Sequence, residues 1–306
     1  MKKLLFSILA FISLSVASVP RAEAASGDLF VYPTPPDTMI ALQPRCDFIV
    51  ARFWDRCNFG TAFKYPEQLN TAFGDWVSIM PHASADTVHT SIDRLLARFT
   101  KKGPETLAMA TMAENWLYSD TAQMRSAEAY LPFAKAAASN KKISKAYRAR
   151  FESHVRIIES SSVGATVPDI PYTDRDGSKG SLDRIQGGSI LLFFNDPDCM
   201  DCNLARIRLS ADPNTRELIE RGELKIVSIY PSDPEGEAWE KAKANADANW
   251  ECVAMPDAYD YFDLSSTPQF YFLNSRHKVL VAELDIDYLL GAFRRANTLS
   301  KNNAAK

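Results

Sequence analysis

Residues 189–202 read SILLFFNDPDCMDC: an apolar run, a short polar loop, then two cysteines with two residues between them. The run has the composition of a strand covered on both faces. By itself the cysteine pair is open to three readings: a redox-active dithiol, half of a metal site, or a structural bridge. The surrounding sequence is more informative. LKIVSIY (224–230) is a second largely apolar run of β-formers, and QFYFLN (269–274) and KVLVAEL (278–284) follow, separated by a polar turn that predicts a hairpin. Helical patterns lie between or after them in CNLARIRLS, TRELIERG, GEAWEKAKANA and DIDYLLGAFRRA. Strands alternating with helices and closed by an antiparallel hairpin predict an α/β sandwich with a mixed central sheet.

Upstream, residues 161–180 (SSVGATVPDIPYTDRDGSKG) break the helical pattern with Gly, Pro and Asp and mark a domain boundary. Before it, from about residue 36 to 160, apolar residues recur at three- and four-residue intervals in six segments, which predicts an α-helical bundle of five or six helices. Pro66 and Pro104 suit first-turn positions, and Ser84 with Asp86 and Thr87 suits a helix start. Phe53, Trp54, Phe73, Trp76, Trp116 and Tyr118 fall mostly where a core-facing stripe runs, so core packing is their expected role. The expected organisation is a leader at 1–24, a helical domain at 25–160, an α/β domain at 161–298 and a disordered tail at 299–306.

The leader reading rests on Lys2 and Lys3 ahead of the apolar stretch from Leu4 to about Val16, with Ala22-Glu23-Ala24 as an A-x-A cleavage site. That predicts export to the periplasm, with cleavage near Ala24. No later segment approaches the ~20 apolar residues of a membrane span. Removing the leader leaves about 280 residues, enough for two domains, with a net charge of about −5. The absence of basic blocks argues against nucleic acid as a partner.

Five cysteines are too few for a disulfide scaffold, and an odd number leaves at least one unpaired within a monomer. Cys46 and Cys57 fall in one expected helix, ALQPRCDFIVARFWDRC, where eleven residues span ~16 Å at 1.5 Å per residue. Both are therefore read as buried packing thiols. Cys252 reads as a buried thiol near a strand end, with acceptance of a disulfide from the pair as the other option.

VGATVPDIPYTDRDGSKGSLDRIQGGSILLFFNDPDCMDC, followed by SSTPQFYFLNSRHKVL, resembles a thioredoxin-like domain of the TlpA/ResA type over about residues 161–298. The shared pattern is a G-x-x-x-P-D entry, a D-x-x-G turn, a strand, C-x-x-C opening a helix, and Thr-Pro before a strand hairpin. The helical half resembles exported Bacteroides-type proteins of unknown function. The resemblance implies that Cys199 is the exposed nucleophile, Cys202 the resolving thiol, and Pro268 a cis proline that leaves Thr267 free to bind an extended substrate segment. It implies exchange with client protein thiols and disulfides, an electron donor, and no cofactor. A cysteine at a helix N-terminus meets the positive end of the macrodipole, which stabilises its thiolate.

The chain departs from the pattern where protons are handled. Phe193 and Ala205 stand where relatives place a buried acid, and Asp198 replaces the usual tryptophan. Asp196, Asp198 and Asp201 disfavour a nearby thiolate, so Cys199 is expected to be less acidic than in strongly oxidising relatives, with Asp198 and Asp201 as tuning groups. A zinc site needs about four ligands, and His82, His89, His154 and His277 form no ligand-spaced pair, so no metal is expected. The functional expectation is an exported thiol-disulfide oxidoreductase. Its rival is a binding module that keeps the thioredoxin fold as a scaffold beside the helical domain.

Overall fold

The computed structural model describes residues 29–304 apart from Asp120 and Glu283, so the expected leader lies outside the described residues. The chain divides into two compact units, one ending at Ser91 and the other starting at Ile92.

In the first unit, α1 (Leu42–Arg52), α2 (Phe59–Ala62) and α3 (Pro66–Ile79) lead into α4 (Ala85–Ala97), which carries across the division. Trp76 is fully buried and meets Trp54 and Phe73 edge-on, each at 5.6 Å between ring centres. Asp47 accepts from the backbone N–H and the hydroxyl of Ser84 at 2.7 and 2.9 Å, fixing the start of α4 against α1. The single helix expected through Cys57 instead ends at Arg52. Tertiary partners capture the carbonyl needed to continue it: Val50 accepts from the Trp76 indole at 3.3 Å and the Ser91 hydroxyl at 2.7 Å. Asp55 and Cys57 then turn back through bonds to Arg52 and Trp54. Cys46 and Cys57 are both buried.

The second unit opens with a helical layer of α5 (Gly103–Leu117), α6 (Ala127–Ser139) and α7 (Lys145–Ser161), packed in that order. Ser126 caps α6 by accepting from the Ala129 N–H at 3.2 Å. Between these helices Tyr118 stacks on Tyr130, whose hydroxyl bonds His154 Nδ1 at 2.7 Å, and Arg150 pairs with Glu114 at 3.1 Å. Burial first, and the Arg150 charge second, push the His154 pKa down to about 4; burial raises the Tyr130 hydroxyl and the Glu114 carboxyl.

Strands begin after α7: β1 (Pro171–Asp174), β2 (Lys179–Ser181), β3 (Ser189–Phe194), α8 (Met200–Ala211), α9 (Pro213–Glu220), β4 (Leu224–Tyr230), α10 (Gly236–Asn245), β5 (Glu251–Ala254), β6 (Gln269–Asn274), β7 (Val279–Ala282) and α11 (Ile286–Ala304). The seven strands form one mixed sheet in the order β2-β1-β5-β4-β3-β6-β7, parallel within β3–β4–β5 and antiparallel elsewhere. This is the expected α/β layer. It also contains a β1–β2 hairpin in the stretch read as a boundary with a D-x-x-G turn, whose flanking strands were not expected. There Asp174 accepts from the N–H groups of Asp176 and Ser178, and Gly177 takes the left-handed backbone (φ 84°) that the turn requires.

Residues Ile190 to Phe194 of β3 are fully buried, and their alternation builds two cores. Leu191 and Phe193 pack with Ala205 and Leu209 of α8 and Leu289 and Phe293 of α11; Ile190, Leu192 and Phe194 pack on the opposite face with Val227, Tyr271 and Phe262. The tail expected to be disordered from residue 299 continues α11 through Ala304. A helix already anchored by buried Leu289, Phe293 and Asn297 extends at little further cost.

Candidate active site

The loop from β3 to α8 is pinned at nearly every residue. The buried Asn195 side chain donates to the Phe193 carbonyl at 2.9 Å and the Ser228 hydroxyl at 3.0 Å. Asp196 accepts from the Asp198 N–H at 2.8 Å through its side chain and from the Cys199 N–H at 3.2 Å through its carbonyl. The Asn203 amide on α8 donates back to the Pro197 carbonyl at 2.9 Å. A loop held this way starts the helix at a defined residue.

That residue is Cys199, the N-cap of α8. Its sulfur accepts from the Cys202 N–H at 3.1 Å, taking the place of the usual capping oxygen. Cys199 and Cys202 form a disulfide with Cα atoms 5.2 Å apart, within the ordinary range. Cys199 is half-buried and Cys202 is 2% exposed, so an attacking sulfur reaches Cys199 first.

The sheet brings Thr267 and Pro268 to the pair. Gln269 opposes Phe194 in the β3–β6 register, so the two preceding residues lie just beyond the end of β3, beside the cysteine loop. The Thr267–Pro268 peptide is cis, and the Thr267 carbonyl oxygen lies 3.6 Å from Cys199 Sγ. The four residues singled out for the site therefore converge although 68 positions separate Cys199 from Thr267.

The tuning acids have unequal surroundings. Asp198 pairs with Lys241 of α10 at 3.2 Å, and this bond raises the lysine pKa. Lys241 also meets Glu237 at 3.2 Å. One of the three negative charges beside Cys199 is thus matched by a cation. Asp201 stands exposed in the first turn of α8. Phe193 and Ala205 are buried in the apolar core, with Phe193 stacked on Phe270 at 4.9 Å, so neither position supplies a carboxylate.

Sequence reasoning missed Lys241 and Asn195. Lys241 lies 43 residues from its partner with no motif around it, whereas Asn203, directly after the second cysteine, was available to a closer local reading. Cys252 sits inside β5, 3% exposed, with its Sγ 3.9 Å from the Ala242 carbonyl, and burial pushes its thiol up. Among the described residues no group of three or more His, Cys, Asp or Glu side chains is arranged to hold a metal ion, and no helix is long and apolar enough to cross a membrane.

A strand feeding a Cys-x-x-Cys disulfide at a helix start, faced by a Thr-Pro loop and set in a mixed sheet, defines a thioredoxin-like domain; here it follows an N-terminal helical region. The structure is similar to that of a thioredoxin-like protein from Bacteroides caccae, 25% identical, with a TM-score of 0.69, covering 87% of this chain and 98% of that one. The likeness therefore extends over helical and α/β parts together. The C-terminal domain of an uncharacterized Bacteroides fragilis protein matches at 24% identity and TM-score 0.41, over 44% of this chain and 99% of that one. The thioredoxin domain of a Bacteroides vulgatus thiol-disulfide oxidoreductase matches at 22% identity and TM-score 0.39, over 44% of this chain and 98% of that one. In sequence, residues 15–161 match a family described as a domain of unknown function (DUF5106). No curated protein matches the chain in sequence.

Proposed function

We propose that this chain is an exported, periplasmic thiol-disulfide oxidoreductase acting on client proteins. The observation that carries the reading is the Cys199–Cys202 disulfide at the start of α8, with the more accessible sulfur against the Thr267 carbonyl. In the reduced state the Cys199 thiolate attacks a client disulfide, forming a mixed disulfide and releasing one client thiolate, which takes up a proton. Deprotonated Cys202 then attacks Cys199 Sγ, freeing the second client thiol and closing the intramolecular bond. Two electrons pass to the client, and a separate donor dithiol re-reduces the pair. Thr267 and Pro268 bind the client segment in extended form beside Cys199, with the Thr267 backbone pairing to it. Asp198 and Asp201 temper the acidity that the helix N-terminus gives Cys199.

The test is a redox titration in graded thiol buffers, with Cys199 and Cys202 scored by alkylation and mass spectrometry. Reversible cycling near thioredoxin's own ~−270 mV supports a reductase. A pair that never cycles overturns the reading in favour of a scaffold module.

A further inference from the structure

Two arginines of the helical layer grip the segment that leads into the Thr267–Pro268 loop. Arg156 of α7 donates through Nε to the Asp260 carbonyl at 3.0 Å and through Nη2 to the Asp260 carboxylate at 2.8 Å. Arg125, just before the α6 cap, pairs with the Asp263 carboxylate. Asp263 is a junction: its other carboxylate oxygen accepts from the Ser265 N–H at 3.2 Å. Its carbonyl accepts from the Tyr271 hydroxyl at 3.1 Å and the Gln269 amide at 3.5 Å. These bonds close residues 263–271 into one braced turn, with Thr267 and Pro268 inside it.

Phe262 and Leu264 on either side of Asp263 are buried, so movement of the junction pulls on the core. The Arg156–Asp260 contact by itself is ill suited to holding the fold, whereas Arg125 and Asp263 are more enclosed, at 33% and 14% exposed. Arg156 and Asp260 are 46% and 58% exposed, and exposed ion pairs add little global stability. Their geometry suits aligning a segment, because the planar guanidinium of Arg156 holds a carbonyl and a carboxylate of the same residue at once.

We propose that Arg125 and Arg156 are positioning residues through which the helical layer holds the Thr267–Pro268 loop in register for an extended client segment. The inference rests on the oxidoreductase reading above and gives α7 and the turn before α6 a part in client binding without contact to the reacting sulfurs.

The test uses the full chain with Arg125→Ala and Arg156→Ala combined, and three readouts: KM and kcat for exchange with an extended peptide disulfide, iodoacetamide alkylation of reduced Cys199, and amide hydrogen exchange over residues 261–269. The expected result is a KM raised roughly tenfold with kcat and alkylation within about twofold, the signature of lost binding with intact chemistry, and faster amide exchange in the loop. Arg125→Lys in place of Arg125→Ala restores part of the KM, since one carboxylate is the partner; Arg156→Lys in place of Arg156→Ala restores less, since an ammonium cannot reproduce the two-pronged contact. A folded double variant with unchanged KM and loop exchange overturns the proposal. So does a parallel fall in kcat and alkylation, which marks general damage to the site. If the double variant does not fold, Arg156→Gln and Asp260→Asn at the exposed pair decide on the same readouts. A wild-type chain that exchanges no peptide disulfide sinks the oxidoreductase reading alone; loop amide exchange then decides the clamp, faster in the variant supporting it and unchanged overturning it.

Discussion

Cys199 and Cys252 belong to the same α/β layer, and their surroundings give one residue type two chemistries. Cys252 lies inside β5 among Trp239, Ala242 and Ala254, where burial raises its thiol and packing hides its sulfur. Cys199 lies off the end of β3 at the first turn of α8, half-buried, with the Cys202 N–H on its sulfur. A strand-interior cysteine is a small hydrophobe; a cysteine capping a helix has donors and a dipole ready for a thiolate. Reactivity follows from where the chain places the sulfur.

The hardest test of that contrast is deletion. Cys199→Ser is expected to lower disulfide exchange by a factor on the order of a thousand or more, as loss of a covalent nucleophile does, while Cys252→Ala stays within about twofold. Coupled exchange and refolding assays check both, and a large loss in the Cys252 variant breaks the comparison. Next is alkylation of the reduced, native protein followed by mass spectrometry. Cys252 is expected to react on the order of a hundredfold more slowly than Cys199, because its thiol is both shielded and held protonated.

The same distinction between solvated and buried groups reaches His154. Its pKa in the folded chain, about 4, lies below the ordinary 6.5, so the fold favours the neutral ring. The stability this contributes is complete above pH 6.5 and is lost as the pH falls from 6.5 toward 4. After discounting for solvent screening, the loss is on the order of 1–2 kcal/mol. Urea midpoints at pH 7 and 4.5 measure it, and the His154→Gln variant is expected to lose that part of the slope. Smallest is Lys241→Gln, which leaves Asp198 without its cation beside Cys199. Alkylation of Cys199 at pH 7 is expected to slow by no more than about twofold, since exposed pairs are screened, and high salt should erase the difference.

Legibility from sequence followed the range of the interactions. Helices α3 to α7 were readable because their apolar periodicity, and at three of them a first-turn or start residue (Pro66, Ser84 and Pro104), lie within or beside the elements themselves. The end of α1 was not, because the Val50 carbonyl goes to Trp76 and Ser91, respectively 26 and 41 residues away. The β1–β2 hairpin was missed because PYTD and KGS are too short and polar to signal strands; pairing with each other and with β5 makes them so. At the site, Cys199, Cys202, Thr267 and Pro268 were all singled out beforehand, whereas Lys241, Arg125 and Arg156 carried no local mark.

The amino-acid sequence by itself determined the alternation of elements and the cysteine pair at a helix start. Both depend on neighbours within a turn or two: apolar spacing sets the buried face, and C-x-x-C spans one helical turn. Only the tertiary structure decided what surrounds the pair. The β3–β6 register sets the Thr267 carbonyl against Cys199, and the packing of α10 and the helical layer gives Asp198 and Asp263 their cations. Such contacts join residues tens to more than a hundred positions apart, and the polar groups that make them follow no periodicity, so they take their partners only from the assembled fold.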